Sequence, residues 1–284
     1  MYDKIVQIKN SIIQHGPLND RIYLMKLGDG DAGYLVKELD SLSKEKGYSK
    51  ITIKVPAEQK SVFEGCGYRL EASIPGFFNG KGDAAFLSKY LKKERQKETN
   101  PVKIKEILAI AEQKATQSNA VDDISPLVAG VVDLPDEVEQ MSMVYKEVFE
   151  TYPFPIHDPD YLRKTMASHV QYFYIRDGIR FVALSSAEMD PGCQSVEMTD
   201  FATLPPYRGK GLAAILLDKM ETVMKRREML TGYTIARAFS AGMNITFAKM
   251  GYIYAGTLTN NTNICGNIES MNIWYKKLNG KTTA

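Results

Sequence analysis

Two rhythms of apolar positions alternate along the chain, one of helical period and one of strand period. Val138, Met141, Val144, Tyr145 and Val148 form one stripe of an amphipathic helix running from Val138 to Phe149. Tyr172-Phe173-Tyr174-Ile175 and Phe181-Val182-Ala183-Leu184 flank Asp177-Gly178, which predicts a hairpin. Val196 to Thr203 reads as an extended segment stopped by Pro205-Pro206, and an apolar-periodic helix follows from Leu212 to about Arg227. Tyr233 to Phe239 predicts a strand, Met243 to Met250 a short helix, and Gly251-Tyr252 the opening of another strand. The N-terminal third repeats the mixture, with strands over Arg21 to Lys26 and Lys50 to Val55, and helices over Gly30 to Lys46 and near Glu58 to Gly65. A strand begins at Gly67-Tyr68-Arg69-Leu70. Lys89 to Gln117 is highly charged and broken by Asn100-Pro101, the pattern of exposed helices joining two domains. The expectation is an α/β chain with a mixed sheet: an N-terminal α/β domain over 1–95, a charged helical linker over 96–123, and a larger domain over 124–284.

Composition narrows the class. At 284 residues the chain is long for one core and comfortable for two. Its 36 basic and 34 acidic side chains leave a net charge of +2, which points neither to nucleic acid nor to an anionic membrane. No stretch resembles a signal peptide or is long enough to span a bilayer. Cys66, Cys193 and Cys265 are odd in number and widely spaced, as expected of reduced thiols in a cytoplasm rather than a disulfide framework or metal site. His15, His157 and His169 form no ligand pattern, so no metal is expected. These bulk properties fit a soluble, cytoplasmic two-domain enzyme, with a homodimer left open.

The candidate chemistry sits in the loop after Thr203. Strand, glycine turn and helix present free backbone N–H groups and a helix N-terminus to an anion, and Gly209 and Gly211 let the backbone approach it closely. The spacing is neither a nucleotide P-loop nor the dinucleotide fingerprint. Arg208-x-x-Gly211-x-Ala213 resembles the Arg/Gln-x-x-Gly-x-Gly/Ala motif of GNAT acetyltransferases, and the order of elements from about residue 125 to the end resembles that family as well. The resemblance implies acetyl-CoA as cosubstrate. Arg208 and the backbone of Gly209, Lys210, Gly211, Leu212, Ala213 and Ala214 would then hold the pyrophosphate. The backbone of Phe201 and Thr203 would hold the thioester and pantetheine, and Ser240, in place of the family's usual asparagine, would act with Asn244. Phe63-Glu64-Gly65-Cys66-Gly67-Tyr68 is similar to Phe247-Ala248-Lys249-Met250-Gly251-Tyr252, so the first domain reads as a degenerate GNAT-like half without the arginine–glycine loop. Two short α/β units with common turn chemistry would look alike too.

Acetyl transfer to an amine needs a neutral nucleophile. Holding a lysine-type amine neutral at pH 7 costs about 3.4 pKa units, or about 4.6 kcal/mol. A carboxylate can accept the proton. Glu197 lies where histone-type members of the family carry their catalytic glutamate, on one strand face with Thr199, Phe201 and Thr203. Asp200 falls on the opposite face, a structural position or one reading the acceptor from the other side. Phe247 stands where many members carry a tyrosine acid; Tyr207, Tyr252, Tyr254 or water would have to protonate the thiolate instead. The proline-rich segment Thr151 to Pro159 forms a stiff wall suited to a methylene chain, with Tyr152 and Phe154 as its substrate-binding aromatics. Arg237 is a candidate for a substrate carboxylate and Glu269 for a substrate ammonium, unless they form a structural ion pair. Thr199 to Pro205, Ala236 to Asn244, Glu269 to Lys276 and Phe77 to Ala84 resemble the β-lysine acetyltransferase branch of the family. That resemblance implies acetylation of the ε-amino group of β-lysine to give a compatible solute. A protein-lysine, lysine or polyamine acetyltransferase, and a non-catalytic acetyl-CoA-binding regulator, remain as alternatives.

Overall fold

A computed structural model describes residues 3–116 and 125–279, so residues 117–123 of the expected linker lie outside it. The N-terminal part comprises β1 (Lys4–Ile8), β2 (Ser11–Gly16), β3 (Arg21–Lys26), α1 (Ala32–Lys46), β4 (Lys50–Pro56), α2 (Lys60–Glu64), β5 (Arg69–Phe78) and β6 (Gly82–Tyr90). Helices α3 (Lys93–Gln96) and α4 (Pro101–Ala115) follow. The C-terminal part comprises β7 (Val128–Val131), α5 (Val138–Val148), α6 (Pro159–Met166), β8 (Val170–Asp177), β9 (Arg180–Asp190) and β10 (Ser195–Thr203). It ends with α7 (Leu212–Arg226), β11 (Thr231–Arg237), α8 (Ala241–Lys249), β12 (Ile253–Ile264) and β13 (Asn267–Lys277). Among the described residues no helix is long and apolar enough to cross a membrane.

All these strands join one 13-stranded mixed sheet, in the order β1-β2-β3-β4-β6-β5-β12-β13-β11-β10-β9-β8-β7. Its two halves repeat one topology. The pair β3–β4 is parallel with α1 crossing between, as β10–β11 is with α7. Beyond β4 come β6 and β5, both antiparallel, as β13 and β12 come beyond β11. The similarity between the segments ending in Tyr68 and Tyr252 thus reflects equivalent places in two α/β units.

Alternation along the strands sets what each half buries. Ile22, Leu24, Ile51, Ile53 and Val55 pack against Leu35, Val36 and Leu39 of α1. Val196 and Met198 do the same against Leu216, Leu217, Met220 and Met224 of α7. The intervening residues, Arg21, Tyr23, Thr52, Lys54, Glu197 and Thr199, occupy the other face, because successive strand side chains point to opposite sides. Helices α5 and α6 close a second apolar cluster over β8 and β9.

The halves meet where Gly256 of β12 pairs with Ala72 of β5. Gly256 has φ +146, and a Cβ there would stand 2.1 Å from the Glu71 carbonyl oxygen, so only glycine lets the edges approach. Buried polar contacts then fix the junction. Asn263 N–H donates to Asn19 Oδ1 at 2.7 Å, Lys50 Nζ donates to the Thr259 carbonyl at 2.7 Å, and Thr52 Oγ1 donates to Asn261 Oδ1 at 2.9 Å. Helix α4 departs from the expected exposed linker: it buries Ile104, Ile107 and Ala111 and packs along α8.

Candidate active site

Strands β10 and β11 run in parallel register from Ser195–Thr231 to Glu197–Tyr233 and then part. The pairing of β10 with β9 is interrupted between Thr199 and Ala202, where Asp200 has φ +56, the mark of a β-bulge. A cavity of about 930 Å³ opens in this gap. The glycine loop bounds one end, the chain from Val148 to Phe154 forms one wall, and β2, β3 and β4 of the N-terminal half supply another.

The loop is open toward the cavity. Gly209 and Gly211 adopt φ +78 and +70, and the space beside each Cα is empty to 4 Å. The backbone N–H groups of Gly209, Lys210, Gly211, Leu212 and Ala213 find no backbone acceptor among the described residues. Such a run of donors at a helix N-terminus fits a phosphate group. The run ends one residue short of expectation, because Ala214 N–H bonds the Gly211 carbonyl at 2.9 Å. Arg208 lines the cavity with its Nε donating to the Thr203 carbonyl at 3.1 Å, and Lys210 Nζ lies 5.0 Å from the centre of the Tyr207 ring. Phe201, Thr203, Leu212, Ala213 and Ser240 line the cavity. Asn244 does not. It is fully buried, donating to the carbonyls of Arg237 (3.0 Å) and Ser240 (2.8 Å) while its oxygen accepts from Asn272 (2.8 Å) and Trp274 (2.9 Å). It braces the start of α8 and has no group left for a cofactor.

Glu197 lines the cavity directly across the ladder from Glu188, with Asp200 close by. Like charges placed opposite one another in a low-dielectric site are costly. Burial, then the neighbouring Glu197 and Asp200, push the Glu188 carboxyl well up from its ordinary value. Burial also raises Glu197, to about 6, while Lys54 and a hydrogen bond from Tyr233 hold it down. Lys54 Nζ in turn donates to the Tyr233 hydroxyl at 3.2 Å, so β4, β11 and β10 share one polar chain. A carboxyl titrating near 6 is largely ionised at pH 7 and still basic enough to take a proton. Asp200 is on the cavity side, contrary to simple alternation, because the bulge resets the parity of β10. Hydrogen bonds from Tyr152 and Ser186 occupy its two carboxylate oxygens.

Of the expected acceptor residues, Tyr152 and Phe154 line the cavity. Arg237 lines it too, but its guanidinium grips Glu269 at 2.6 and 3.0 Å, and Glu269 is not in the cavity wall. These two form a structural ion pair and correct the expectation of separate substrate contacts. Of the tyrosines considered as acids, only Tyr207 is in the cavity wall. Tyr252 packs behind Phe247 in the core, Tyr254 bonds Thr257, and the Tyr207 hydroxyl donates to Asp177 at 2.7 Å. Sequence reasoning missed Arg21, Tyr23, Lys54, Glu188 and Tyr233, all in the wall. The signal for three of them was present: charged and aromatic residues alternating with Ile22, Leu24, Ile51 and Ile53 along two strands.

Residues 139–252 match the family described as acetyltransferase (GNAT) family. A beta-lysine N(6)-acetyltransferase of Methanococcus maripaludis is 45% identical over 96% of this chain and 98% of its own. A protein of the same name from Methanosarcina mazei is 32% identical over 84% and 95%. N-acetyltransferase YodP of Bacillus subtilis is 30% identical over 94% and 96%.

Proposed function

The chain belongs to the GNAT acetyltransferase family and is an acetyl-CoA-dependent N-acetyltransferase, and from that premise we propose that its acceptor is β-lysine, acetylated on the ε-amino group. The observation that carries this reading is the pairing of an open anion loop with a buried acidic cluster across one cavity. The relatives named for β-lysine align over both halves of the chain, which supports an acceptor read by the whole molecule.

The residues present fit the cosubstrate, since the loop donors and the empty space beside Gly209 and Gly211 suit a pyrophosphate. When bound, acetyl-CoA supplies the acetyl group as a thioester. The chain's own part is to remove a proton and hold the amine. Glu197 accepts the ammonium proton, directly or through water, because its carboxyl near 6 is ionised at neutral pH. The ionised Glu197 also favours the cationic acceptor on arrival, since burial and the neighbouring carboxyls push Glu188 well up. Tyr233, whose hydroxyl is pushed up by burial and by Glu197, keeps its proton and orients Glu197. The apolar wall of Phe149, Phe154 and Ile264 accommodates methylenes and excludes water.

Acetylation removes one positive charge from β-lysine and leaves a neutral zwitterion, the chemistry of a compatible solute, and we place the reaction in the cytoplasm, where the three free thiols fit. A thiol-release assay with acetyl-CoA against β-lysine, α-lysine, ornithine, polyamines and a lysine peptide tests the acceptor. β-Lysine should show the highest kcat/KM; faster turnover of the peptide or a polyamine would overturn the assignment.

A further inference from the structure

We propose that Arg21 and Gln14, on β3 and β2 of the N-terminal half, form the subsite that binds the amino-acid head of the acceptor, its carboxylate on Arg21 and its second ammonium on Gln14. The inference rests on the acceptor reading above and adds which half of the molecule sets specificity.

Arg21 is 4% exposed and lines the cavity. Its Nη1 donates to the Asn261 carbonyl at 2.7 Å and to Thr262 Oγ1 at 3.1 Å, but its Nε has no partner. Among the described residues no carboxylate forms an ion pair with it. A buried guanidinium without a counter-ion is costly, and burial pulls this one down to about 10. Gln14 is 1% exposed, also in the wall, and its amide nitrogen is fixed on the Pro153 carbonyl at 3.1 Å while its oxygen has no partner. Gln14 stands opposite Tyr23 in the β2–β3 register, which makes it the diagonal neighbour of Arg21 on the same face. An orphan donor on a cation therefore sits beside an orphan acceptor. Together they match a carboxylate with an amine a few bonds away.

The other pole of the cavity is the carboxylate cluster around Glu197, and Tyr23 lies between the two. The centre of its ring is 5.3 Å from the Arg21 guanidinium carbon, and its hydroxyl is raised by burial and then by Glu197. An acceptor with a zwitterionic head and a distant amine spans such a cavity with its carboxylate on Arg21, its head ammonium on the Gln14 oxygen and its distant amine at Glu197. A plain diamine satisfies only one pole.

The test measures kcat and KM for β-lysine, for the diamine it becomes on losing its carboxylate, and for the ω-amino acid that lacks the second amine. Wild-type protein should favour β-lysine over the diamine by about 100-fold in kcat/KM, the scale of a buried charge contact. Arg21→Met should lose about that factor on β-lysine, mostly through KM, with turnover of the diamine and acetyl-CoA affinity unchanged. Gln14→Leu should raise KM for β-lysine and leave the ω-amino acid unaffected. Equal losses on all acceptors would overturn the subsite. So would a wild-type enzyme that takes the diamine as readily as β-lysine, a result that needs no variant to fold. If α-lysine proved the better acceptor, the β-lysine reading would fail while Arg21→Met would still separate carboxylate-bearing from carboxylate-free amines.

Discussion

Replacing Glu197 with glutamine separates its proposed catalytic role from its structural cost. The folded carboxyl titrates near 6 against an ordinary 4.5. Above pH 6 the ionised group is held in a site that disfavours its charge, and at pH 7 this costs about 2 kcal/mol of stability. As pH falls, the folded carboxyl takes up its proton before the unfolded one does, so the cost shrinks to less than about half by pH 5. Glu197→Gln keeps the shape and loses the charge. Thermal melts at pH 7 should therefore show the variant more stable by a few degrees, with the advantage narrowing at pH 5.

Activity should move the other way. General-base contributions are typically about 100- to 10,000-fold, and thiol release with acetyl-CoA and β-lysine should fall by that order at pH 7. A base titrating near 6 is about nine-tenths ionised at pH 7 and about one-tenth at pH 5. The acidic limb of kcat/KM should thus drop about tenfold over that interval in wild type and flatten in the variant. A variant that keeps turnover within a few-fold of wild type, or retains the same limb, would remove Glu197 from the mechanism.

Lys54→Met deletes a charge that holds Glu197 down, so the acidic limb should move to higher pH, with activity lost at pH 7 and largely recovered at pH 8; an unmoved limb would uncouple the two groups. Gly211→Asp sets a carboxylate and a strained left-handed residue at the loop, and calorimetry on the folded variant should show acetyl-CoA binding severely weakened. Titration should give one acetyl-CoA per chain, because in the N-terminal half Asp31 occupies the start of α1, accepting from Asn10 N–H at 3.1 Å and Ser11 Oγ at 2.9 Å; two equivalents would contradict this. Gly256→Ala should force β5 away from β12, lowering Tm and raising KM for the acceptor more than for acetyl-CoA.

Local chemistry was the part of the site that the sequence showed. The Arg208–Gly211 loop, the strand carrying Glu197 and the departure at Phe247 need only neighbours within a few residues, and all three line the cavity. What depended on register was hidden. Glu188 becomes a partner of Glu197 only once the β9–β10 ladder is aligned. Alternation sent Asp200 to the wrong face because a single left-handed residue shifts the parity of a strand. Asn244 looked available, yet its saturation comes from Asn272 and Trp274, two positions brought beside it by β13. For Arg237 and Glu269 the sequence left substrate contacts and an ion pair open, and the β11–β13 diagonal that joins them favours the pair.

The repeated topology explains why the acceptor wall comes from so far along the chain. In each half the face turned away from α1 or α7 is where a strand of the parallel pair carries polar side chains: Glu197 and Thr199 in one, Arg21 and Tyr23 in the other. The N-terminal half does not suit an anion at its loop: the space beside Gly30 is open, but Asp29 and Asp31 would repel a phosphate. Relieved of a cofactor, its polar face would be a liability if it were simply covered, because buried unpaired groups such as Arg21 Nε and Gln14 Oε1 cost stability. Joining the sheets at Gly256 instead turns that face onto the one cavity that has a cofactor loop. Two of the groups left unsatisfied by folding, Arg21 Nε and Gln14 Oε1, then belong to residues of the cavity wall. On the proposed subsite, selectivity among amines would lie with the half that carries no arginine–glycine loop.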